Sequence, residues 1–344
     1  MEVAITMENK VFDPFQKEQQ LKSESDQWNT STPTEAIDGD IPVIDLEPYF
    51  SSGSDKLLKS TALQIRDACE QTGFFTIIGH SIKSSQLSHT FSMVRQFHAL
   101  PEVEKKRLLM DKPDWPVGGV GYMPLNNRKL PARDKGNLNE AFIVKSVGPV
   151  SMADNQWPEE NLLPGFRQAI EEYARQMISL GQRMLPLFAT ALDMPKNYFD
   201  EAFLEPTYRL RMTHYPVIEE QDDDQFGIAP HVDTTFCTIL AQDNPGLTIY
   251  SERRKQWINA PLLDNAFIVN SGELLRHWTN DRFISVKHFA NNNTGQASRY
   301  SIPFFLNANA HYKMPPISSC ISESKPMKYP VISYSESQAI AQGE

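Results

Sequence analysis

The hydrophobic pattern of this chain changes period near Pro206, and that change limits the folds open to it more than any other feature. Upstream, apolar residues recur every three or four positions, as on one face of a helix. Leu58, Ala62, Ile65 and Cys69 form one such stripe, closed by Gly73. Leu87, Phe91, Val94 and Phe97 form a second, with Ser84 or Ser85 placed to cap it. After Pro164 comes the longest, through Phe166, Ile170, Tyr173, Met177, Leu180, Met184 and Leu187, with Pro186 set to kink its end. Downstream, the segments 208–215, 229–241, 247–250, 266–270, 283–289 and 299–305 are short and largely alternating. Turn residues separate them, notably Asn244-Pro245-Gly246 and the run 291–295. Many short strands at this spacing predict an antiparallel sandwich or jelly roll. The chain therefore reads as mainly β with flanking helices, a helix-rich front wrapped on a β core.

Several classes of protein are excluded. No run of about 18 apolar residues exists to cross a membrane, and the first residues lack the basic-then-apolar order of a signal peptide. Three cysteines, Cys69, Cys237 and Cys320, are odd in number and far apart, which fits a reducing cytosol rather than a disulfide framework. With 33 Lys+Arg against 43 Asp+Glu and no basic stripe, nucleic acid is not an expected partner. The expected organisation is a loosely ordered polar leader over 1–39, a helix/strand region over 40–150, a long supporting helix over 151–205, the β core over 206–317 and a tail over 318–344, loose in its last ten residues. Within the second region, 112–139 is rich in Gly and Pro and reads as one long loop, a kind that is more often functional than idle.

His231-Val232-Asp233 is the sharpest chemical feature. On a strand, residues two apart share a face, so both side chains would point into one interior. His288 lies on another expected strand. Two neutral imidazoles and one carboxylate leave positions open on a divalent metal, the arrangement of non-haem iron(II) sites; zinc more often takes three ligands and one water. Arg299 and Ser301 also share a face, and the apolar run Ile302-Pro303-Phe304-Phe305 after them argues for burial. A buried arginine is costly unless an anion meets it, and its planar fork suits a carboxylate. Upstream, Arg209, Arg211, Thr213 and Tyr215 share a polar strand face, from which Tyr215 can offer a hydroxyl to the same anion.

These residues stand in a wider pattern: Ile41-Pro42-Val43-Ile44-Asp45, the segment GFFTIIGH from Gly73, Leu100-Pro101, Tyr215-Pro216 and Pro245-Gly246-Leu247 with Trp257. It continues through Asn270-Ser271-Gly272-Glu273-Leu274-Leu275, Trp278-Thr279-Asn280 and RYSIPFF from Arg299. In this order they resemble the isopenicillin N synthase-like branch of the iron(II)/2-oxoglutarate-dependent oxygenases, over about residues 40–310. The resemblance implies a distorted double-stranded β-helix (jelly roll) holding iron through His231, Asp233 and His288. It implies 2-oxoglutarate chelating that iron, with its distal carboxylate on Arg299 and Ser301 and with Tyr215 assisting. Dioxygen would then give succinate, carbon dioxide and a ferryl species that hydroxylates, desaturates or rearranges a small natural-product intermediate. The chain departs from the family at Phe289, where Arg usually follows the distal histidine, and at Thr213, a cosubstrate position that commonly holds Asn. The alternative is an oxidase of the same fold that uses dioxygen without 2-oxoglutarate; a zinc hydrolase on the same ligands is a further rival. Substrate contacts are expected from the Gly/Pro-rich segment, at Tyr122, Leu125, Asn126, Asn127 and Arg128, and from Phe142 and Phe236. The expected partner is a small molecule, with no membrane, and the expected state a cytoplasmic monomer.

Overall fold

A computed structural model of the chain describes residues 32–110, 119–126, 136–147, 151–219, 225–293 and 295–342. Helices α1 (Glu47–Ser52), α2 (Asp55–Gln71), α3 (Ser84–His98), α4 (Glu102–Lys106) and α5 (Phe166–Ala191) precede the β-rich half, α6 (Glu273–Trp278) lies within it, and α7 (Tyr334–Gln342) follows it. The strands are β1 (Thr34–Glu35), β2 (Val43–Asp45), β3 (Phe74–Ile78), β4 (Gly121–Met123), β5 (Glu140–Ser146), β6 (Thr207–Tyr215) and β7 (Ile228–His231). They continue as β8 (Cys237–Gln242), β9 (Leu247–Ser251), β10 (Gln256–Asn259), β11 (Phe267–Ser271), β12 (His288–Ala290) and β13 (Arg299–Asn307).

Two sheets result, a larger one in the order β2-β3-β11-β8-β13-β6-β5-β4 and a smaller one in the order β1-β10-β9-β12-β7. Together they form the distorted jelly roll that the alternating segments anticipate. Because strand side chains alternate, each strand of the large sheet has two duties. Leu210, Met212, Ile239, Val269, Ile302 and Phe304 face the helices and join the stripe of α5 in the main core. Arg211, Tyr215, Leu240, Asn270, Arg299 and Ser301 instead line a cavity shared with the small sheet. The helix sits close on β13: a Cβ at Gly181 would come within 2.6 Å of Leu306 Cδ2. Helix α5 runs through Pro186 to Ala191.

The large sheet crosses the expected regional boundaries, since β2 to β5 from the first half pair into it. Other differences trace to polar contacts that hydrophobic periodicity does not register. Part of the expected leader is a strand: β1 pairs in parallel with the unanticipated β10, and Asp40, just after the leader, receives Arg253 at 2.7 Å and Arg254 at 2.6 Å. The end of the tail is helical because Ser333 and Glu336 cap α7 reciprocally, through Ser333 N–H to Glu336 Oε2 and Glu336 N–H to Ser333 Oγ. Helix α3 starts at Ser84 with Lys83 as its cap residue, whose N–H donates to Gln86 Oε1. The expected loop 112–139 contains β4, and 229–241 is two strands broken between His231 and Cys237. Of the expected strand 283–289 only His288 and Phe289 are in a ladder, as part of β12.

Phe236, expected near substrate, lies instead in the core, fully buried with Phe188, Phe199, Phe203 and Trp278 around it. Phe236→Ala should therefore cost about 3–5 kcal/mol of stability. Denaturant unfolding reads that loss, while the KM for substrate in the folded fraction stays within about twofold.

Candidate metal and cosubstrate site

His231 ends β7 directly opposite His288 in the β7–β12 register, with ring centroids 4.4 Å apart. Each ring directs Nδ1 outward to a backbone carbonyl, His231 to Ala229 O at 2.9 Å and His288 to Val286 O at 3.1 Å. An Nδ1–H donated to a carbonyl leaves Nε2 as the lone-pair atom. Both Nε2 atoms face Asp233 Oδ1, at 3.5 Å and 3.7 Å. Asp233 follows β7 in the break before β8, so the strand alternation expected from the sequence is not what aims it. Its carbonyl accepts the Glu273 N–H at the start of α6. Its Oδ2 accepts from Thr238 Oγ1 at 2.6 Å and Asn270 Nδ2 at 2.9 Å. These contacts lock the carboxylate and leave Oδ1 for the centre of the triad.

Burial alone would raise the Asp233 carboxyl, but His288, His231 and the Thr238 hydroxyl outweigh it and hold it well below the usual carboxylate range. Burial pushes the His288 imidazole down to about 4. A charged carboxylate and a neutral imidazole are the protonation states a divalent cation requires. The donor atoms of His231, Asp233 and His288 all lie within 4.8 Å of one another, so the residues fit a metal.

Beside the triad, Arg299 is 3% exposed. Its Nε donates to Asn244 O at 3.1 Å and its Nη2 to Gln242 Oε1 at 3.0 Å. Its Nη1 is buried without a hydrogen-bond partner among the described residues. The guanidinium lies over the Tyr215 ring, 4.5 Å from its centroid, and Tyr215 OH is 3.4 Å from Ser301 Oγ. Gly246 makes room for it: with φ +147°, a Cβ there would sit 2.8 Å from Arg299 Nε. An orphaned guanidinium N–H with two hydroxyls close by suits a carboxylate. Arg299, Ser301, Tyr215 and the triad line one cavity, with apolar walls from Phe74, Leu240, Leu247 and Phe289.

Other expected residues fall elsewhere. Thr213 shares the Tyr215 face but is fully covered and does not line the cavity. Tyr122 and Phe142 pair across β4–β5 on the helix side of the sheet. Phe142 packs on Phe97 and Phe166, and Tyr122 OH donates to Glu140. Glu140 also accepts from Lys105 at 2.9 Å and meets His214 at 2.7 Å and His98 at 3.2 Å. The Lys105 ammonium supplies the positive charge in this cluster, which reads as a structural ion pair rather than a second metal site. Leu125 and Asn126 are exposed, and Asn126, at φ 60°, is not on the cavity wall. Asn127 and Arg128 lie outside the described residues. Conversely, Asn270 sits in a quoted motif and Arg211 on the noted polar face, yet neither receives a role from the sequence.

Comparisons with known proteins agree with this geometry. A family model described as the non-haem dioxygenase in morphine synthesis N-terminal region matches residues 41–160, and one for the 2OG-Fe(II) oxygenase superfamily matches residues 206–308. The 2-oxoglutarate-dependent dioxygenase citB of Monascus ruber is 31% identical over 295 residues, covering 80% of this chain and 87% of that protein. The 2-oxoglutarate-Fe(II) type oxidoreductase hxnY of Emericella nidulans is 30% identical over 308 residues, covering 85% and 86%. The solved structure of a full-length Neurospora crassa protein in complex with alpha-KG superposes with a TM-score of 0.79 at 25% identity, covering 91% of this chain and 100% of that one. The complex of that protein with alpha-KG and thymine gives 0.78 at 25% identity, covering 90% and 99%.

Outer partners of metal ligands commonly contribute about 10–100-fold to affinity. Asn270→Ala, which frees one side of Asp233, should weaken metal binding by that factor. Equilibrium dialysis with Mn(II) measures it.

Proposed function

This chain belongs to the 2OG-Fe(II) oxygenase superfamily, and on that premise we propose that its cavity oxidises a small organic intermediate of natural-product metabolism. It is an oxidoreductase, an iron(II)- and 2-oxoglutarate-dependent dioxygenase. In the proposed assignment His231 Nε2, Asp233 Oδ1 and His288 Nε2 hold the iron, and Arg299, Ser301 and Tyr215 receive the distal carboxylate of 2-oxoglutarate. The observation that carries it is the unpartnered, buried Nη1 of Arg299 in the same cavity as the triad. Iron(II) with 2-oxoglutarate and dioxygen supplies oxidative decarboxylation to succinate and carbon dioxide, coupled to oxidation of a substrate C–H bond.

The chain's own residues bind, orient and shield. Thr238 and Asn270 fix Asp233, and the carbonyls of Ala229 and Val286 fix the two imidazoles. Arg299 neutralises the cosubstrate's far charge, while the Ser301 and Tyr215 hydroxyls donate to the same carboxylate. Phe74, Leu247 and Phe289 keep water from the reacting centre. The names of the relatives, which specify 2-oxoglutarate, support this reading over an oxidase that needs no keto acid or a zinc hydrolase. The thymine held by the Neurospora crassa protein supports a small substrate. No helix among the described residues is long and apolar enough to cross a membrane. Cys69, Cys237 and Cys320 are buried and free, which supports a reducing cytoplasm as the proposed location; a monomer is the proposed state.

Consumption of 2-oxoglutarate should release succinate in equal amount and only with iron(II) and dioxygen. His231→Ala should abolish that release. Arg299→Ala should raise the KM for 2-oxoglutarate by roughly 30-fold or more, the scale of about 2 kcal/mol or above for truncating one partner of a buried charge pair. Succinate release that survives His231→Ala would overturn the assignment.

A further inference from the structure

The two histidines of the triad are held by unequal means. His288 sits on β12, which is paired on both sides, with β7 and with β9. His231 sits on β7, the last strand of the small sheet, which has a ladder partner on one side only. A strand edge leaves N–H and C=O groups that must find partners elsewhere. The His231 side chain is also the more exposed of the two, 29% against 10%. Its orientation rests on the contact from Nδ1 to Ala229 O, which leaves Nε2 to face the triad. Ala229 itself is passed over by the β7–β12 register, which pairs His231 with His288 and Ile228 with Ala290.

The three residues that lead into β5 take the place of the missing strand. Asn137 Oδ1 accepts the Ala229 N–H at 3.0 Å, Leu138 N–H donates to Phe226 O at 2.8 Å, and Asn139 Nδ2 donates to Gly227 O at 2.6 Å. Both asparagines are buried, and neither lines the cavity. Of these contacts, the one from Asn137 falls on the residue whose carbonyl holds the imidazole. It fixes the peptide that enters Ala229. Pro230 restricts the peptide that leaves it, because the residue before a proline is confined to extended conformations. Held from both ends, the Ala229 carbonyl keeps one direction, and the His231 Nδ1–H follows it.

We infer that Asn137 is a positioning residue for the metal site: through the Ala229 peptide it selects the tautomer and direction of His231. The inference rests on the proposed function, in which His231 Nε2 is a metal ligand. Asn137 acts as an acceptor, so the property that matters is the side-chain oxygen and not the amide nitrogen.

Two measurements on the full chain test this. In the metal-free protein labelled with 15N at histidine, long-range 1H–15N correlation reads the tautomer of each imidazole, with His231→Ala assigning the His231 signals. Wild-type His231 should be protonated at Nδ1 alone. Asn137→Leu, which keeps the shape of the side chain without its oxygen, should turn His231 into a mixture of tautomers and leave His288 unchanged. Titration with Co(II), followed by its visible absorption, should show affinity lower by about tenfold or more, the scale for partners that orient metal ligands. Asn137→Asp retains the acceptor and should restore the single tautomer and the affinity. Asn137→Ala is a second variant read in the same way, with circular dichroism showing that each variant is folded. Wild-type tautomer and affinity in Asn137→Leu would overturn the inference. So would an affinity loss with the His231 tautomer unchanged, an equal disturbance of His288, or an Asn137→Asp variant that behaves like Asn137→Leu. Failure of the proposed function is separately visible, as Co(II) binding that is absent in the wild type or undiminished in His231→Ala.

Discussion

Asp233 carries a full negative charge between two sheets, where desolvation is expensive unless hydrogen bonds and opposite charge offset it. One carboxylate oxygen meets this demand inside the protein, through Thr238 and Asn270. The other meets two imidazole nitrogens whose protons are committed elsewhere, to Ala229 and Val286. A divalent cation held between Asp233 Oδ1 and the two Nε2 atoms would add the positive charge that a buried carboxylate needs. Much of the surrounding structure follows from holding this arrangement still. β8 supplies Thr238, β11 supplies Asn270, and α6 begins on the Asp233 carbonyl.

The second constraint is Arg299, and it explains why β6 and β13 have two dissimilar faces. Their inner residues, Tyr215, Arg299 and Ser301, form the polar subsite. The residues between them, His214 and Tyr300, stack at 4.8 Å on the opposite face. There His214 joins the Glu140 cluster, in which burial alone would raise the carboxyl but His214, His98 and Lys105 hold it well below its ordinary range. The wall proposed to receive an anion in front is thus backed by the Glu140 ion-pair network. Gly246 completes the seat, since any side chain there would meet the guanidinium.

The elements built on periodic burial are legible in the sequence. The stripe from Phe166 to Leu187 faces the core throughout, and the alternation of 208–215 correctly separates Tyr208, Leu210 and Met212 from Arg211 and Tyr215. The triad and Arg299 are legible as residue types in context. Register is not. Phe142 faces the helices because it pairs with Met212, and the pairing of β5 with β6 is a long-range choice that no local pattern encodes. Strand alternation puts Asp233 on the right face for an incomplete reason, as a turn and an α6 contact aim it rather than a pleat. The edges escape a reading of periodicity because they rest on polar contacts: Asp40 with two arginines, and the Ser333–Glu336 cap. That last signal is present in the sequence, since Ser-x-x-Glu marks a helix start.

The account stands or falls on whether one cavity binds metal and keto acid together. The most direct measurement adds iron(II) and then 2-oxoglutarate to the protein without dioxygen and follows the visible absorption spectrum. A weak metal-to-ligand charge-transfer band should appear only after the keto acid, be absent in His231→Ala, and require far more keto acid in Arg299→Ala. Iron bound with no band at saturating 2-oxoglutarate, or a band unaffected by either substitution, would contradict the assignment.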